Sequence, residues 1–436
     1  MYDGPVRIID WYGYNQTVLN PIGLTFVILM AILFLAFPKR YALLPIIATA
    51  CFITHRQRIV LAGLDFSMLR IMIIVGFIRT IMRSEYRNLK LNRIDKTVIG
   101  WVIVSLITGT LLWKTGSAFI NRLGTAYDIL GLYFLFRIFI RHIEDMEIIV
   151  KTLVIMAIPI AVIMTIEQVN GRNLFYFLGG VPKYTMLRDG RLRSQAAFSH
   201  PILAGTYGAF LLPMVIGYWQ LRKQTVFAII GVIAATIITV TSSSSGPVIA
   251  YGAGLIGLFM WKFRMKTRFI FWCGILGLFS LNMVMKAPVW HLISRIHAVG
   301  GSTAYYRYRL IDAAVNNFKE WWLFGTKSTA HWGYGLQDLT NMYIAEGVGG
   351  GILRLILFLT ILILCFKAIG FVVKMPGKYK PKQMFIWGIG SSLFVHAVSF
   401  MSVSYFGQFV LFLYMTFAFI STISSIDTEK ELIQEE

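Results

Sequence analysis

The residues of this chain best suited to chemistry are arginines gathered in two polar stretches. The first, about residues 167–200, carries Arg172, Lys183, Arg188, Arg191 and Arg193 against Asp189. The second, about residues 286–349, carries Lys286, Arg295, Arg307, Arg309, Lys319 and Lys327, with Asp312, Glu320, Asp338 and Glu346 as its acids. A guanidinium is a planar fork of donors that matches two oxygens of a phosphate at once, so the chemistry on offer is the binding of phosphate esters. Contact with lipid head groups, or ion pairing without consequence, accounts for the same charges equally well. No Walker lysine, no GxGxxG after a strand, no HExxH helix and no GxSxG elbow occurs. No Asp, Glu or His cluster has metal-ligand spacing, so no metal is expected. Cys51, Cys273 and Cys365 lie far apart within apolar runs and read as small buried hydrophobes. The run Ser242-Ser243-Ser244-Ser245-Gly246-Pro247 reads as a turn that shapes a hairpin rather than one that does chemistry.

The elements that must position these arginines are membrane spans. Of the 436 residues 57% are hydrophobic and 14% charged, whereas a soluble domain is about 45–50% apolar and about 25% charged. The long unbroken apolar runs exclude a membrane β-barrel, whose strands alternate. Nothing at the N-terminus has the form of a cleavable signal, so the first apolar run is expected to be retained. Apolar runs at 21–38, 41–53, 66–82, 97–113, 118–140, 146–166, 201–219, 225–241, 246–261, 269–285, 350–373, 383–404 and 407–424 predict about 12–13 transmembrane helices in a single integral membrane domain spanning 1–436. The run 41–53 is short enough to be extended, tilted or re-entrant.

The net charge of +21 then has an explanation other than nucleic acid. One alternate set of short connections holds eighteen Lys and Arg, from Lys39 and Arg40 through to Lys374, Lys378, Lys380 and Lys382. The other set holds only Arg56, Arg58 and Lys114. The basic set marks the cytoplasmic side. It follows that the C-terminus, with Lys430, is cytoplasmic and that both long loops, 167–200 and 286–349, face outward. Function is expected there, since loops carry function on a rigid scaffold.

Several segments resemble one known family. Arg193-Ser-Gln-Ala-Ala-Phe198-Ser-His200-Pro201 resembles the R-x-x-G-x-F-x-H-P signature of the O-antigen ligase and Wzy-type polysaccharide polymerase superfamily. Arg307-Tyr-Arg-Leu-Ile-Asp-Ala-Ala resembles its R-x-x-L-W-x-x-A helix, and Trp322-Leu-Phe-Gly325 its short turn before the membrane. Asp338-Leu-Thr-Asn341-Met-Tyr343-Ile-Ala-Glu346-Gly347-Val-Gly-Gly350 resembles the segment that re-enters the membrane. The resemblance covers roughly residues 120 to 420. The ligases carry a histidine where this chain has Leu336, and the nearest histidine is His331. Many members have an arginine after the serine turn, where this chain has Ser and Gly. These departures favour a polymerase, in an exopolysaccharide branch, over a ligase. The family's usual twelve or so spans with both ends inside differ from the thirteen read here.

The resemblance implies a GT-C-like all-α polytopic fold whose long extracytoplasmic loop carries short helices. It implies a bacterial plasma-membrane glycosyltransferase that takes a glycan from an undecaprenyl-pyrophosphate carrier and passes it to a sugar hydroxyl, with no cofactor, metal or nucleotide. Cationic donors must hold the pyrophosphate as it leaves, and a base must help the attacking hydroxyl. Arg193 and Arg307 are the first choices for the pyrophosphate and Arg191 and Arg309 the second; all four are otherwise interfacial side chains. Asp338 and His331 are the candidate bases; Asp338 serves equally well as a helix cap. His200 is a candidate substrate contact or a structural cap. Asn341 and Tyr343 would line an acceptor groove, or else cap and pack a helix start. Trp321, Trp322, Trp332 and Tyr334 would stack on sugars or form an interfacial belt. Expected partners are the lipid-linked oligosaccharide donor, a polysaccharide acceptor, membrane lipid, and chain-length, flippase and export proteins, with no nucleic acid. A ligase acting on a lipid or protein acceptor, and a transporter of lipid-linked oligosaccharide, are the alternatives. A transporter would favour paired repeats and interrupted helices at the midplane, and neither is visible. Within the membrane, Asp128 is expected to pair with Arg70 or Arg79, and His396 to hydrogen-bond inside the bundle.

Overall fold

A computed structural model describes residues 16–87, 89–295, 303–375 and 380–434. Lys378 lies outside the described residues, as do the side chains of Lys380 and Lys430. Backbone groups in lipid must be satisfied within the segment, and the apolar runs accordingly form helices. Those before the first long loop are α1 (Pro21–Ala36), α2 (Leu44–Phe52), α3 (Met68–Met82), α4 (Arg93–Trp113), α5 (Gly116–Phe139) and α6 (Ile143–Asn170). Between the two long loops lie α7 (Pro201–Arg222), α8 (Thr225–Thr241), α9 (Ser245–Phe259) and α10 (Thr267–Val284). The second loop carries α11 (Thr303–Asn316) and the single turn α12 (Phe318–Trp321). The chain then finishes with α13 (Met342–Val372), α14 (Gln383–Ser399) and α15 (Val410–Gln434). Two hairpins complete the described residues: β1 (Arg58–Leu61) with β2 (Leu64–Ser67), and β3 (Met186–Arg188) with β4 (Arg191–Arg193).

Among the described residues six helical stretches are long and apolar enough to cross a membrane, and the protein is an all-α polytopic membrane protein. The remaining expected spans are helical too, but shorter or more charged. α2 has nine residues, roughly 14 Å of helix, too little to cross a 30 Å hydrocarbon layer alone. The polypeptide nevertheless passes from one face of the bundle to the other there. The Asn20 backbone N–H at the start of α1 donates to the side-chain oxygen of Gln57 beyond α2 at 2.8 Å, while Arg79 at the end of α3 donates to the carbonyls of Phe34 and Phe37.

The two sets of connections separate onto opposite faces. On the basic face Arg83 donates to Leu35 O, Arg141 to Glu85 O and Asn92 to Ser421, and Lys382 pairs with Glu144. On the other face Thr54 meets Gly179, Ser199 meets Gln408 and Met342 meets the carbonyl of Phe400. Both long loops lie on this second face. The first begins at Gly171 rather than 167, because α6 runs to Asn170. The second ends at Asn341, because the Asn341 side chain caps Ile344 N and starts α13 eight residues before the expected span.

Charges inside the bundle are paired, as their desolvation requires. Asp128 takes both nitrogens of Arg70, at 2.8 and 2.7 Å, and Arg79 turns instead to Glu85. Arg137 is held by Asp95 at 2.8 Å, which ties α5 to α4, and the same carboxylate receives Ser421 of α15. His396 shares a hydrogen bond with the Tyr405 hydroxyl at 2.9 Å. α13 breaks at Gly350–Gly351, and the turn at Trp322–Gly325 fills the notch: Ile352 N donates to Trp322 O at 2.7 Å and Thr326 N to Val348 O at 2.9 Å. Only glycine fits there, since a Cβ on Gly351 would lie 2.2 Å from Leu323 O and its φ is +80°. Glu346 and Arg354 bridge the break at 2.8 Å, with Trp101 of α4 donating to the same carboxylate.

Candidate functional site

The centre of the candidate site is the hairpin β3–β4. Asp189 and Gly190 at its tip both have positive φ, +50° and +72°, the two-residue turn that suits right-twisted strands. The register pairs Met186 with Arg193 and Arg188 with Arg191. Side chains alternate along a strand, so Arg188, Arg191 and Arg193 share one face and Leu187 and Leu192 take the other.

The segment after β4 is firmly held. Ser194 N donates to Thr241 O, and the backbone N–H groups of Gln195 and Ala196 both reach the buried carboxylate of Glu167, at 3.2 and 2.9 Å. Asn173 and Gln408 donate to the carbonyls of Ala196 and Ala197. Phe198 packs among Tyr207, Phe409 and Phe412. His200 then caps α7, its Nδ1 accepting from Ile202 N at 3.1 Å, with Pro201 at the first helical position.

Arg193 and Arg307 converge on one cleft although 114 positions separate them. It is lined by Arg188, Asp189, Arg191, Arg193 and Ile202, by the serine turn Ser243–Gly246, and by Arg307. The space between these residues is about 450 Å³ when its open mouth is included. Arg193 is 4% exposed and Arg307 8%. Arg193 Nη2 donates to Ser244 Oγ at 2.7 Å, and a methyl on Gly246 would lie 4.0 Å from Arg307 Nη2. The Nε atoms of both arginines are buried and make no hydrogen bond.

This is an unusual electrostatic arrangement. Buried charges are ordinarily paired, and among the described residues no carboxylate bridges Arg193 or Arg307. Burial, then the neighbouring Arg188 cation, pushes Arg193 from the ordinary arginine range down to about 10, with Asp189 opposing weakly. Burial and Arg188 lower Arg307 as well. Burial, then Arg193 and Arg188, pushes His200 down to about 4. At neutral pH its ring is uncharged, and with Nδ1 accepting the cap bond the proton sits on Nε2. The cleft is therefore strongly cationic and short of acceptors, which is the condition an oxyanion ligand relieves.

The other expected residues fall into separate places. Arg191 lines the same cleft from an exposed position. Arg309, two residues from Arg307 on a helix, points elsewhere and packs against Gly333. Near it Tyr306 donates to the carbonyls of Gly335 and Asp338, at 2.7 and 2.5 Å. Partial desolvation raises Asp338, and the Asp338 charge, after burial, helps push Tyr306 up to about 12. Asp338 does not cap α13; Asn341 does. His331 is exposed and shares a hydrogen bond with Glu320 at 2.8 Å; Trp332 donates to the same carboxylate, and these two bonds lower Glu320. Asn341 is buried as a cap, and Tyr343 donates to Ala397 O while packing edge-on against Phe358 and Phe400. Trp321 is buried against Ala314 O, and Tyr334 is exposed.

Three contributors are not singled out by the sequence. Arg188 stands among the loop arginines there, and alternation across the Asp189-Gly190 turn places it beside Arg193. The serine turn was visible but read as a connector only. Glu167 had no signal, being the last acid of an apolar helix whose partners are backbone groups. Neither the family models nor the curated protein sequences compared with this chain give a match.

Proposed function

We propose that this protein is a membrane glycosyltransferase that extends a polysaccharide from a polyprenyl-diphosphate-linked glycan, with the cleft facing away from the cytoplasm. The observation that carries this reading is the convergence of Arg193 and Arg307, from two separate loops, as buried cations without carboxylate partners among the described residues. Such a pair suits a diphosphate whose charge grows as it leaves. The basic connections among the described residues lie on the face opposite the cleft, which supports an outward-facing cleft. The resemblance of the segments around Arg193, Arg307 and Asp338 to the polysaccharide polymerases points the same way.

In the reaction, a sugar hydroxyl of the acceptor attacks the anomeric carbon of the donor. The new C–O bond forms as the bond from that carbon to the phosphate oxygen breaks. The bonding electrons leave with the polyprenyl diphosphate, whose added charge Arg193 and Arg307 hold. The hydroxyl proton passes to a base, for which Asp338 is the choice on the family resemblance; it is a carboxylate raised by burial, beside Tyr306 of α11 and outside the lining of the arginine cleft.

The test is elongation of a purified lipid-linked repeat unit from the source organism. The wild type should produce a ladder of longer lipid-linked glycans. Arg193→Ala and Arg307→Ala should abolish it, and Asp338→Asn should abolish it while leaving donor binding intact. An undiminished ladder in both arginine variants would refute the assignment.

A further inference from the structure

The fold leaves one part of the cleft without an assigned role, the serine turn at the start of α9. We propose that this turn and the N-terminus of α9 form a third, uncharged side of the anion site, so that a phosphoryl group is held between α9 and the two buried guanidiniums. The inference rests on the reading of the arginine pair as an anion site and adds residues that reading does not need.

Three observations carry it. Ser243, Ser244, Ser245 and Gly246 line the same cleft as Arg193 and Arg307. α9 is a full 15-residue helix; Pro247 in its first turn has no N–H, and the N–H of Gly246 has no acceptor within the helix. Ser244 at the cap position makes no side-chain capping bond; its Oγ instead accepts from Arg193 and donates to Ser242 O. The positive end of the helix therefore faces the cleft without the usual capping oxygen. The Nε atoms of Arg193 and Arg307, on side chains 4% and 8% exposed, are buried and unpartnered in that cleft. Two cations and a helix N-terminus directed at one space leave only an anion as a matching occupant. Gly246 packs closely on Ser402: a Cβ there would lie 2.5 Å from Ser402 Oγ and 3.2 Å from its Cβ, and 4.0 Å from Arg307 Nη2.

The experiment measures binding of farnesyl pyrophosphate, a short polyprenyl diphosphate, to the full chain in detergent. Ser402→Ala removes the hydroxyl that a methyl on Gly246 would strike. It also loses the hydroxyl's bond to Ser399 O at 3.0 Å, so it serves as the background against which the double variant is compared. Adding Gly246→Ala to that background brings a methyl to 4.0 Å from Arg307 Nη2 and 3.2 Å from the Cβ of residue 402. Affinity should fall by about tenfold or more, the scale of a lost hydrogen bond to a charged group. Ser244→Ala, which releases Arg193, should weaken binding by a similar factor. If the Gly246→Ala, Ser402→Ala protein binds as tightly as Ser402→Ala alone, the turn is a connector and the proposal fails. If Arg193→Ala still binds like the wild type, or the wild type does not bind, the anion-site reading itself fails. Loss of binding in Arg193→Ala with none in the turn variants overturns only the third side.

Discussion

Replacing Arg193 with methionine should stabilise this protein while destroying its proposed function. In the folded state the guanidinium is 4% exposed, with no carboxylate bridging it among the described residues. Its displacement from the ordinary arginine range to about 10 corresponds to roughly 3 kcal/mol against the charged form. Methionine keeps most of the apolar stem and removes that cost. It also removes the bond to Ser244 Oγ, worth about 1–1.5 kcal/mol. The balance is a gain of about 1–2 kcal/mol without ligand, set against complete loss of diphosphate binding. The assay is unfolding of wild type and variant in the same detergent, with and without farnesyl pyrophosphate. Ligand should raise the melting temperature of the wild type and leave the variant unchanged. The sign of the pH dependence is a further check. A base depressed on folding regains stability as pH rises through its folded value, so the advantage of the variant should shrink above about pH 10. Destabilisation of Arg193→Met by more than about 1 kcal/mol would refute the reasoning, because Arg193 would then be a structural strut like Arg137.

Three more outcomes follow from particular contacts. His200 is pushed down to about 4, so the folded state resists protonation that the unfolded state accepts near 6.5; stability should fall by about 2–3 kcal/mol between pH 6.5 and 4, and His200→Asn, which keeps a cap, should flatten that slope in pH-dependent unfolding. Glu167→Gln keeps shape but sets an amide N–H₂ against one of the two backbone donors at Gln195 and Ala196; stability should fall by about 1.5–3 kcal/mol and farnesyl pyrophosphate affinity should fall with it, and unchanged affinity would show the loop is held by its other bonds. Gly351→Ala combines φ +80° with a 2.2 Å approach to Leu323 O and should cost upwards of about 3 kcal/mol, read as new protease cleavage between residues 318 and 341.

Much of this architecture was legible because membrane helices announce themselves by composition. All thirteen apolar runs are helical, and the separation of basic from non-basic connections predicted which loops share a face. Helix ends were less legible. Asn341 starts α13 early because a cap and a glycine break are local geometry, invisible to hydropathy. At the site, Arg193 and Arg307 were found by type and position and do meet. Arg309 departs because two residues along a helix is more than half a turn. Asn341 and Tyr343 took their packing roles, and His331 its surface bond to Glu320. What could not be read was long-range: Glu167 reaching the backbone of 195–196, and α9 turning its first residues toward two arginines, depend on tertiary placement alone.

The most direct test of the central claim places purified protein in vesicles with its lipid-linked repeat unit and scores elongation and translocation of that lipid together. The account predicts longer lipid-linked glycans from the wild type, none from Arg193→Ala or Arg307→Ala, and no protein-dependent translocation. Translocation without elongation, abolished by the same two substitutions, would contradict it and make the arginine cleft the binding site of a transporter.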